Sequence, residues 1–322
     1  RLFNNRLYAE AAYYDISSTN LIMTVPVPAA TGYSNYNTNV GEISNKGYEF
    51  TLGGQPIKGG DLLWDVSFNF SHNENKLVEL MEDLENYTFS TTNSGDVTVN
   101  ATVGGGFGEI YGTDFKTTED GRLLVNQNGE PIEQSEKVKL GNYQPDFLGG
   151  FNNTFSYKDI TLNALIDFRV GGEVFSGTDG SLDGSGVSKR SLKYREEGIV
   201  VDGVVNTGTE EEPVYEENTV TTTAQDYWGA VSGIASNYIY EQTNFRVREI
   251  SLTYNLPQSL IANSFIQNAS ISLVGRNLLF IYKDSPNFDP EISYSTSNYA
   301  QGMLWYNLPT TRNYGFNLNV SF

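Results

Sequence analysis

The 322-residue sequence contains no cysteine and a single histidine, His72. The absence of cysteine excludes disulfide scaffolds, thiol catalysis and cysteine-ligated metal sites. A lone histidine leaves no partner to place in a catalytic triad or a metal centre, so we expect no catalytic residue, no cofactor and no metal site built on it. We interpret His72 as a residue at the base of an exposed loop.

Basic residues are scarce as well. The 20 Lys and Arg stand against 39 Asp and Glu, which gives a net charge of -19 and a pI near 4.4. This imbalance excludes a nucleic-acid partner, because phosphate binding needs an excess of Lys and Arg.

Long apolar runs are also missing, since no window approaches the roughly 18–20 apolar residues of a membrane helix. The mean hydropathy of -0.37 is still compatible with a membrane barrel, whose strands expose apolar side chains on one face only. Two all-β classes therefore stay open, a soluble sandwich and an outer-membrane barrel. No signal peptide is visible and Arg1 lies in strand-like sequence, so we expect the chain to begin inside a larger protein.

What the sequence does contain is strict alternation of apolar and polar residues. It is clearest in the three segments Leu62–Ser71, Ile160–Val170 and Tyr314–Phe322. Weaker alternation marks five more segments: Arg6–Ile16, Gly47–Gly54, Phe147–Phe155, Arg246–Leu256 and Ala269–Leu279. Together they predict about eight strands of about 9–11 residues, the length with which a tilted strand crosses a bilayer.

The predicted connections alternate in length. Asn4-Asn5, Ile57–Asp61 and Tyr157–Asp159 are tight turns, and Asn255–Asn268 is a somewhat longer one. The connections at about 18–45, 72–145, 171–243 and 281–311 far exceed an ordinary hairpin loop. Residues 1–322 are thus predicted to be one part of an all-β, antiparallel transmembrane β-barrel with short periplasmic turns and long extracellular loops.

The loops contain polar and glycine-rich segments. Asp120-Gly121 and Asn128-Gly129 flank Arg122–Val125 and predict a small hairpin. The glycines of 104–106 and the Gly/Ser-rich stretch 176–188 are interpreted as flexible loop, although Asp179 and Asp183 give a weak hint of Ca²⁺ binding. The acidic runs are interpreted as solvated surface; they comprise Glu82, Asp83, Glu85, Glu210, Glu211, Glu212, Glu216 and Glu217.

Several segments, in this order along almost the whole chain, match a known pattern. They are LFNNRL at 2–7, YYD at 13–15, NVGEISNKGYE at 39–49, GEIYG at 108–112, YNLP at 254–257, GRNLL at 275–279, DPE at 289–291 and YGFNLNVSF at 314–322. The set resembles the SusC/RagA-like TonB-linked outer-membrane transporters of Bacteroidetes. The resemblance implies a barrel of about 22 strands, of which this chain carries about the last eight.

The same resemblance implies an N-terminal plug and TonB box that precede Arg1, a SusD-like surface lipoprotein that caps the barrel, and energised import through the outer membrane. The expected cargo is a large nutrient, an oligosaccharide before an oligopeptide. An outer-membrane barrel with a non-energised receptor, adhesion or secretion role is the alternative, and a soluble β-sandwich that binds carbohydrate is a further one.

Aromatic residues are assigned to three groups. The interfacial girdle of the barrel is predicted at Tyr13, Tyr14, Trp64, Tyr157 and Tyr254. Substrate or lid contacts are predicted at Tyr227, Trp228, Tyr299, Trp305 and Tyr306, with packing inside the loops as the competing interpretation. The signal for the barrel-assembly machinery is predicted at the terminal residues Tyr314, Phe316, Leu318, Val320 and Phe322, which can be recognised by strand addition.

Overall fold

The computed structural model describes residues 2–3, 6–26, 32–33, 35–39, 41–81, 84–92, 95–262, 264–294 and 301–322. The predicted turn at Asn4-Asn5, the acidic residues Glu82 and Asp83, and Tyr299 lie outside this part of the chain. Within it, every helix is too short or too polar to cross a membrane.

One antiparallel sheet of eight strands forms the wall of the molecule, and each strand pairs with the next along the chain. The strands are β1 (Leu7–Thr19), β2 (Glu42–Gly59), β3 (Leu62–Glu79), β4 (Phe147–Tyr157), β5 (Ile160–Val170), β6 (Asn244–Asn255), β7 (Asn268–Lys283) and β8 (Asn313–Ser321). All eight strands predicted from alternation are confirmed.

The register places apolar and polar residues on opposite faces of the wall. One row of directly opposed residues runs Trp64, Phe155, Leu162, Leu252, Leu273 and Phe316. The next row runs Ser156, Thr161, Thr253, Ser272 and Asn317. A slip of one residue would exchange the faces, so the two-residue period sets the register.

The apolar face of the wall is open. Large side chains on it, such as Leu273 and Phe316, stay exposed, and no second sheet packs over them within the described residues. A soluble sandwich buries this face. The exposed apolar band therefore favours contact with lipid.

Three strands exceed their predicted lengths by five residues or more. β2 and β3 have 18 residues each and β7 has 16. At about 3.3 Å per residue, β3 is about 59 Å long, well beyond the ~30 Å hydrocarbon core. Alternation stops after Ser71 because the remaining residues of β3 project above the bilayer, where both faces contact water or loops.

His72 lies inside β3 rather than at a loop base, so that interpretation was wrong. Its half-buried ring lies between Tyr48 and Phe147, with centroid distances of 4.9 and 5.5 Å. Its Nδ1 is 2.7 Å from the carbonyl oxygen of Asp146. His72 thus belongs to the upper edge of the outward face, where aromatic side chains gather.

The girdle prediction requires aromatic residues on the outward face of the wall. It agrees with the face on which the structure places Tyr13, Trp64, Tyr157 and Tyr254, but it was wrong for Tyr14. Neighbouring residues of a strand point to opposite faces, so Tyr13 and Tyr14 cannot share one. The Tyr14 ring covers Gly47 on the polar face, and its hydroxyl donates to Asn73 Oδ1 at 2.9 Å.

The long connections contain their own strands and helices. Loop A (20–41) is a hairpin of Ile22–Pro26 with Asn35–Asn39. Loop B (80–146) holds a four-stranded sheet of Asn86–Thr91, Thr98–Thr102, Phe107–Gly112 and Val138–Asn142, and the short strand Leu124–Val125.

Loop C (171–243) and loop D (284–312) complete this layer. Loop C contains helix α1 (Gly177–Gly184), helix α2 (Ala224–Val231), the 3₁₀ turns Arg190–Leu192 and Ala235–Tyr238, and the strands Glu173–Ser176, Ile199–Val200, Val204–Asn206, Tyr215–Glu217, Thr221–Thr222 and Ile239–Glu241. Loop D contains the strand Met303–Leu304, and the turn after β6 contains the short helix α3 (Gln258–Ile261).

The hydrophobic core lies mainly in the loop layer, although Leu77 of β3 also contributes a fully buried side chain. Its largest cluster draws on loops B, C and D and comprises Val97, Val99, Ile110, Tyr143, Phe175, Ala235, Tyr238 and Met303. Because these residues are far apart in the chain, the three loops fold as one unit above the wall.

The hairpin predicted at Arg122–Val125 is confirmed and is larger than expected. Gly121 and Gly129 both have positive φ, so two successive tight turns make three short antiparallel segments. The acidic residues Glu210–Glu212 and Glu216–Glu217 are exposed, as predicted.

The two segments interpreted as flexible are regular, so that interpretation was wrong. Leu77 and residues 104–105 exchange two backbone hydrogen bonds of 2.8 Å each, which makes the glycines a tight turn against β3. The Gly/Ser-rich stretch contains α1, in which Gly177, Asp179, Gly180 and Asp183 are buried. Burial against other loops stabilises a helix that its weak intrinsic propensity does not predict.

Candidate functional site

The predicted contact residues fall into two groups around helix α1. Tyr227 and Trp228 belong to α2, and Trp305 and Tyr306 follow the short strand of loop D. Tyr299 lies outside the described residues. Within each group, the two rings differ in how far they are exposed to solvent.

Trp228 is a packing residue. Its side chain is only 8% exposed, its ring meets those of Tyr194 and Tyr227 at 6.4 and 5.1 Å, and the Arg190 guanidinium lies 5.4 Å from it. Thr223 caps α2 by accepting from the backbone N–H of Asp226. For Trp228 the structure therefore favours packing inside the loops over contact with a ligand.

Tyr227 is half-buried at the same cluster. Burial raises the pKa of its hydroxyl above the ordinary value, and the nearby Tyr194 acts in the same direction. The ring contacts Tyr194 edge-on at 5.4 Å. Tyr227 is therefore a neutral side chain at the rim of the cluster.

Beneath this cluster, Asp183 is fully buried and already has a cation. It pairs with Arg190 and accepts a hydrogen bond of 3.0 Å from the Tyr238 hydroxyl. Asp179, one turn earlier, is buried too, and this burial raises the pKa of its carboxyl. The described residues hold no group of three or more His, Cys, Asp or Glu suited to a metal. Ca²⁺ binding stays a prediction, and the Arg190 pair counts against it.

A cleft of about 410 Å³ opens beside α1. One wall is the small-residue face of the helix, comprising Gly177, Gly180, Ser181, Gly184 and Ser185, and Trp305 and Tyr306 form the opposite side. A Cβ at Gly177 would lie 2.0 Å from the Trp305 ring. Only glycine at position 177 therefore lets the Trp305 indole lie on the backbone of α1. In this position the Trp305 side chain is half-buried.

Tyr306 is presented at the mouth of this cleft. It adopts φ +54°, a conformation that costs a bulky residue free energy. Its N–H donates to Thr178 Oγ1 at 2.7 Å, and the preceding N–H of Trp305 donates to Asn307 Oδ1 at 2.9 Å. These bonds hold a strained backbone that keeps the Tyr306 ring 62% exposed.

Loop D is anchored on the inner face of the wall by Arg246 of β6. The guanidinium donates to Glu291 Oε2 at 2.8 Å, to Asp289 Oδ2 at 3.3 Å and to Thr310 Oγ1 at 2.7 Å. Asp289 and Glu291 begin the loop and Thr310 ends it. One buried arginine therefore binds both ends of loop D.

Arg248 extends this anchor across neighbouring strands. It donates to Asp167 Oδ2 of β5 at 2.6 Å, to Asn277 Oδ1 of β7 at 3.0 Å and to Glu291. Asn277 has positive φ and donates to the carbonyl of Thr311 at 3.3 Å. The loop that carries Trp305 and Tyr306 is thus bound to side chains of β6 and β7, and Asp167 of β5 holds Arg248 in place.

The anchor was not found by sequence reasoning, although two of its parts were visible. The sequence analysis used Asp289-Pro290-Glu291 and the segment around Asn277 only as motifs that match the family. It treated the arginines of β6 only as residues of a predicted strand. An arginine on the inward face of a predicted strand, together with an acidic pair in the next loop, was the available signal.

The terminal residues of the predicted assembly signal lie on the outer edge of the sheet. Tyr314, Phe316, Leu318 and Phe322 are exposed, and Phe322 stacks on Phe265 at 5.3 Å. Within the described residues, β8 pairs on one edge only, with β7. The role of these residues as an assembly signal stays a prediction.

Comparisons with known proteins agree with this architecture. The family model described as "TonB dependent receptor-like, beta-barrel" matches residues 1–278. TonB-dependent receptor P3 of Formosa agariphila is 29% identical over 350 residues, which cover 100% of this chain and 33% of that protein. TonB-dependent receptor SusC of Bacteroides thetaiotaomicron is 26% identical over 169 residues, which cover 48% of this chain and 17% of that protein.

A solved structure of the RagAB peptide transporter shares the fold. The TM-score is 0.71 at 22% identity, over 99% of this chain and 34% of that chain. The chain spans about a third of the length of the curated relatives that match it from end to end.

Proposed function

Since the chain belongs to the TonB-dependent receptor β-barrel family, we propose that it forms the wall and extracellular loops of an energised importer of large nutrients. The SusC/RagA-like family, the barrel fold and the Gram-negative outer-membrane location predicted from sequence are confirmed. Receptors of this family are transporters and not enzymes.

The observation that carries the proposal is the combination of a lipid-facing wall with a firmly anchored loop layer. A polar inner face suits a water-filled passage, as in other outer-membrane barrels. Loops B, C and D pack on a shared core and Arg246 fixes loop D, so the layer can hold a binding surface in one geometry. Import needs such a surface to select cargo before passage.

We assign the first contact with cargo to the cleft beside α1. Tyr306 and Trp305 offer aromatic surface, while serine hydroxyls and a glycine-lined backbone face them. Among the described residues that line the cleft, Asp96 is the one with a charge. A largely neutral cleft with aromatic and hydroxyl groups fits an oligosaccharide better than a charged ligand, and an oligopeptide is the second choice.

The partners follow from the proposed mode of action. Energy would come from TonB through a plug, and a SusD-like lipoprotein would close the loops from outside. The loop layer exposes large apolar side chains, including Leu192 and Leu308, and such side chains suit a protein partner.

The test uses the full-length receptor purified from outer membranes with any lipoprotein that accompanies it. Native mass spectrometry would identify bound cargo, and calorimetry would compare neutral oligosaccharides with oligopeptides. We expect Tyr306→Ala to weaken binding of the preferred cargo roughly tenfold, the upper end for loss of one aromatic contact.

The matched control is Tyr36→Ala in loop A, because Tyr36 is 61% exposed and Tyr306 62%. Equal loss in both variants would contradict the assignment of the cleft. Uptake that persists without TonB would favour the non-energised receptor role.

A further inference from the structure

Positive charge gathers at one turn of loop C. Residues 189–195, the basic turn, hold four of the 20 Lys and Arg of the chain, which are Lys189, Arg190, Lys193 and Arg195. No other segment of that length in the sequence holds more than two. Arg190 pairs with the buried Asp183. The other three are exposed, and none of them forms an ion pair with a residue that the structure describes.

The basic turn borders a second cavity, of about 590 Å³. The described residues that line this loop C cavity are Asp183, Gly184, Ser185, Gly186, Ser191, Arg195, Thr223, Ala224, Gln225 and Trp228. The cavity shares Gly184 and Ser185 with the cleft beside α1. Both residues are exposed, so an extended ligand can lie across them and occupy the cleft and the cavity together.

Arg195 presents its charge to this cavity in a fixed orientation. Its Nε donates to the carbonyl oxygen of Ser191 at 3.2 Å, and one terminal nitrogen donates to that of Gly186. A guanidinium has five N–H groups, so about three of them stay available for a ligand. Glu196 and Glu197 follow directly in the chain, yet neither pairs with Arg195 among the described residues. Neutral carbonyl groups therefore orient the cation and leave its charge uncompensated.

Carboxylates do not cancel this charge within the cavity. Asp183 is the one acidic residue among the described residues of its lining, and Arg190 and the Tyr238 hydroxyl already bind the Asp183 carboxylate. Charges beyond about 8 Å are largely screened at physiological salt, so the net charge of -19 has little effect inside the cavity. The lining therefore favours an anion, whereas the cleft beside α1, with Asp96 as its charged residue, favours neutral groups.

We propose that the loop C cavity binds an anionic sugar residue of the cargo, while neutral residues of the same oligosaccharide occupy the cleft beside α1. The inference rests on the proposed import of an oligosaccharide and narrows the substrate class to glycans that carry a carboxylate or sulfate group. The N–H groups left on Arg195 can form charge-assisted hydrogen bonds with such an oxyanion. Lys189 and Lys193 add positive charge at the same turn, which attracts the anion before contact.

The test uses the full-length receptor, purified with any lipoprotein that accompanies it, on an array of uronate-bearing and sulfated oligosaccharides. Each anionic glycan stands beside its matched neutral form, made by carboxyl reduction or desulfation. We expect wild type to bind at least one anionic glycan roughly tenfold more tightly than its neutral form, the lower end for one charge-assisted contact. Arg195→Gln should remove most of that preference. Arg195→Lys should retain part of it, because lysine keeps the charge but loses the planar fork.

The matched control is Arg122→Gln in loop B. Arg122 is also a partly exposed arginine, but it pairs with Asp120 at 2.8 Å and lines neither the cleft nor the cavity. This variant should keep the wild-type preference. Heat-modifiable migration on gels and an unchanged chymotryptic pattern of loop C check that each variant is folded.

The outcomes separate this inference from the proposed function. Equal or tighter binding of the neutral forms would overturn the inference and leave the import of oligosaccharides standing. A lack of binding to every glycan would contradict the proposed function and the inference with it. Loss of the lipoprotein from Arg195→Gln with an unchanged glycan preference would overturn the inference and assign the basic turn to a protein partner. If the preference is lost in Arg195→Gln, the tighter of the two classes, uronate or sulfate, identifies the group that Arg195 binds.

Discussion

The anchor of loop D can be tested by replacing Arg246 with methionine, which keeps the side-chain volume and removes the charge. Arg246 is 3% exposed and Asp289 6%. The substitution leaves the Asp289 carboxylate buried without its cation, while Glu291 keeps Arg248 as a partner.

Removing one member of a buried ion pair typically costs about 3–5 kcal/mol, because an uncompensated charge stays behind. We expect this loss to appear as local opening of loop D rather than unfolding of the wall, since the wall strands keep their own ladder. A loss of about 3 kcal/mol corresponds to roughly a hundredfold increase in opening.

Hydrogen exchange of the full-length receptor, followed by mass spectrometry, measures this opening in peptides that cover 284–294 and 303–312. The control is Arg276→Met, because Arg276 also pairs with a glutamate, Glu249 at 2.7 Å, but is 64% exposed. An exposed pair contributes about 0–1 kcal/mol, so this control should leave exchange nearly unchanged.

A double variant tests the cause. Arg246→Met combined with Asp289→Asn removes both charges, and we expect it to exchange more slowly than Arg246→Met alone. Exchange as fast as in the single variant, or an equal effect of Arg276→Met, would refute the argument that a buried charge pair holds the loop.

Three further outcomes are expected. Deleting Phe322 from the full-length protein should lower outer-membrane insertion, seen as less heat-modifiable barrel; an unchanged yield would speak against an assembly signal. Burial raises the pKa of the Asp179 carboxyl above its usual 3.8. The folded state therefore keeps the Asp179 proton to a higher pH than the unfolded state does, and the free energy of unfolding falls as pH rises from 3.8 through the raised pKa. Asp179→Asn should therefore make loop C more resistant to proteolysis at pH 7, whereas Asp183→Asn, which breaks an ion pair, should make it less so. Gly108→Ala should destabilise loop B by about 2 kcal/mol in hydrogen exchange, because φ is +87° and a ring lies 2.5 Å from the new Cβ; Gly229→Ala in α2, with open space around it, should stabilise by up to about 1 kcal/mol.

The sequence by itself determined the wall. The bounds predicted for Ile160–Val170 are those of β5, because a strand between lipid and a polar interior must alternate at every residue. The same rule failed for residues 72–79, which continue β3 above the bilayer, where no such pair of environments exists. Alternation also explains why Tyr14 lies on the face opposite to Tyr13 and is not part of the girdle.

Only the tertiary structure decided what the loops do. Arg246 and Asp289 are 43 residues apart in the chain, and nothing periodic links them. Gly177 supports Trp305 from a different loop, and contacts between loop residues leave Trp228 buried and Tyr306 exposed. The residues of a wall strand face lipid on one side and the polar interior on the other, so the sequence of the strand alternates and can be recognised. The position of a loop residue depends on contacts with residues that are distant in the chain, and only the folded loop layer shows which residues these are.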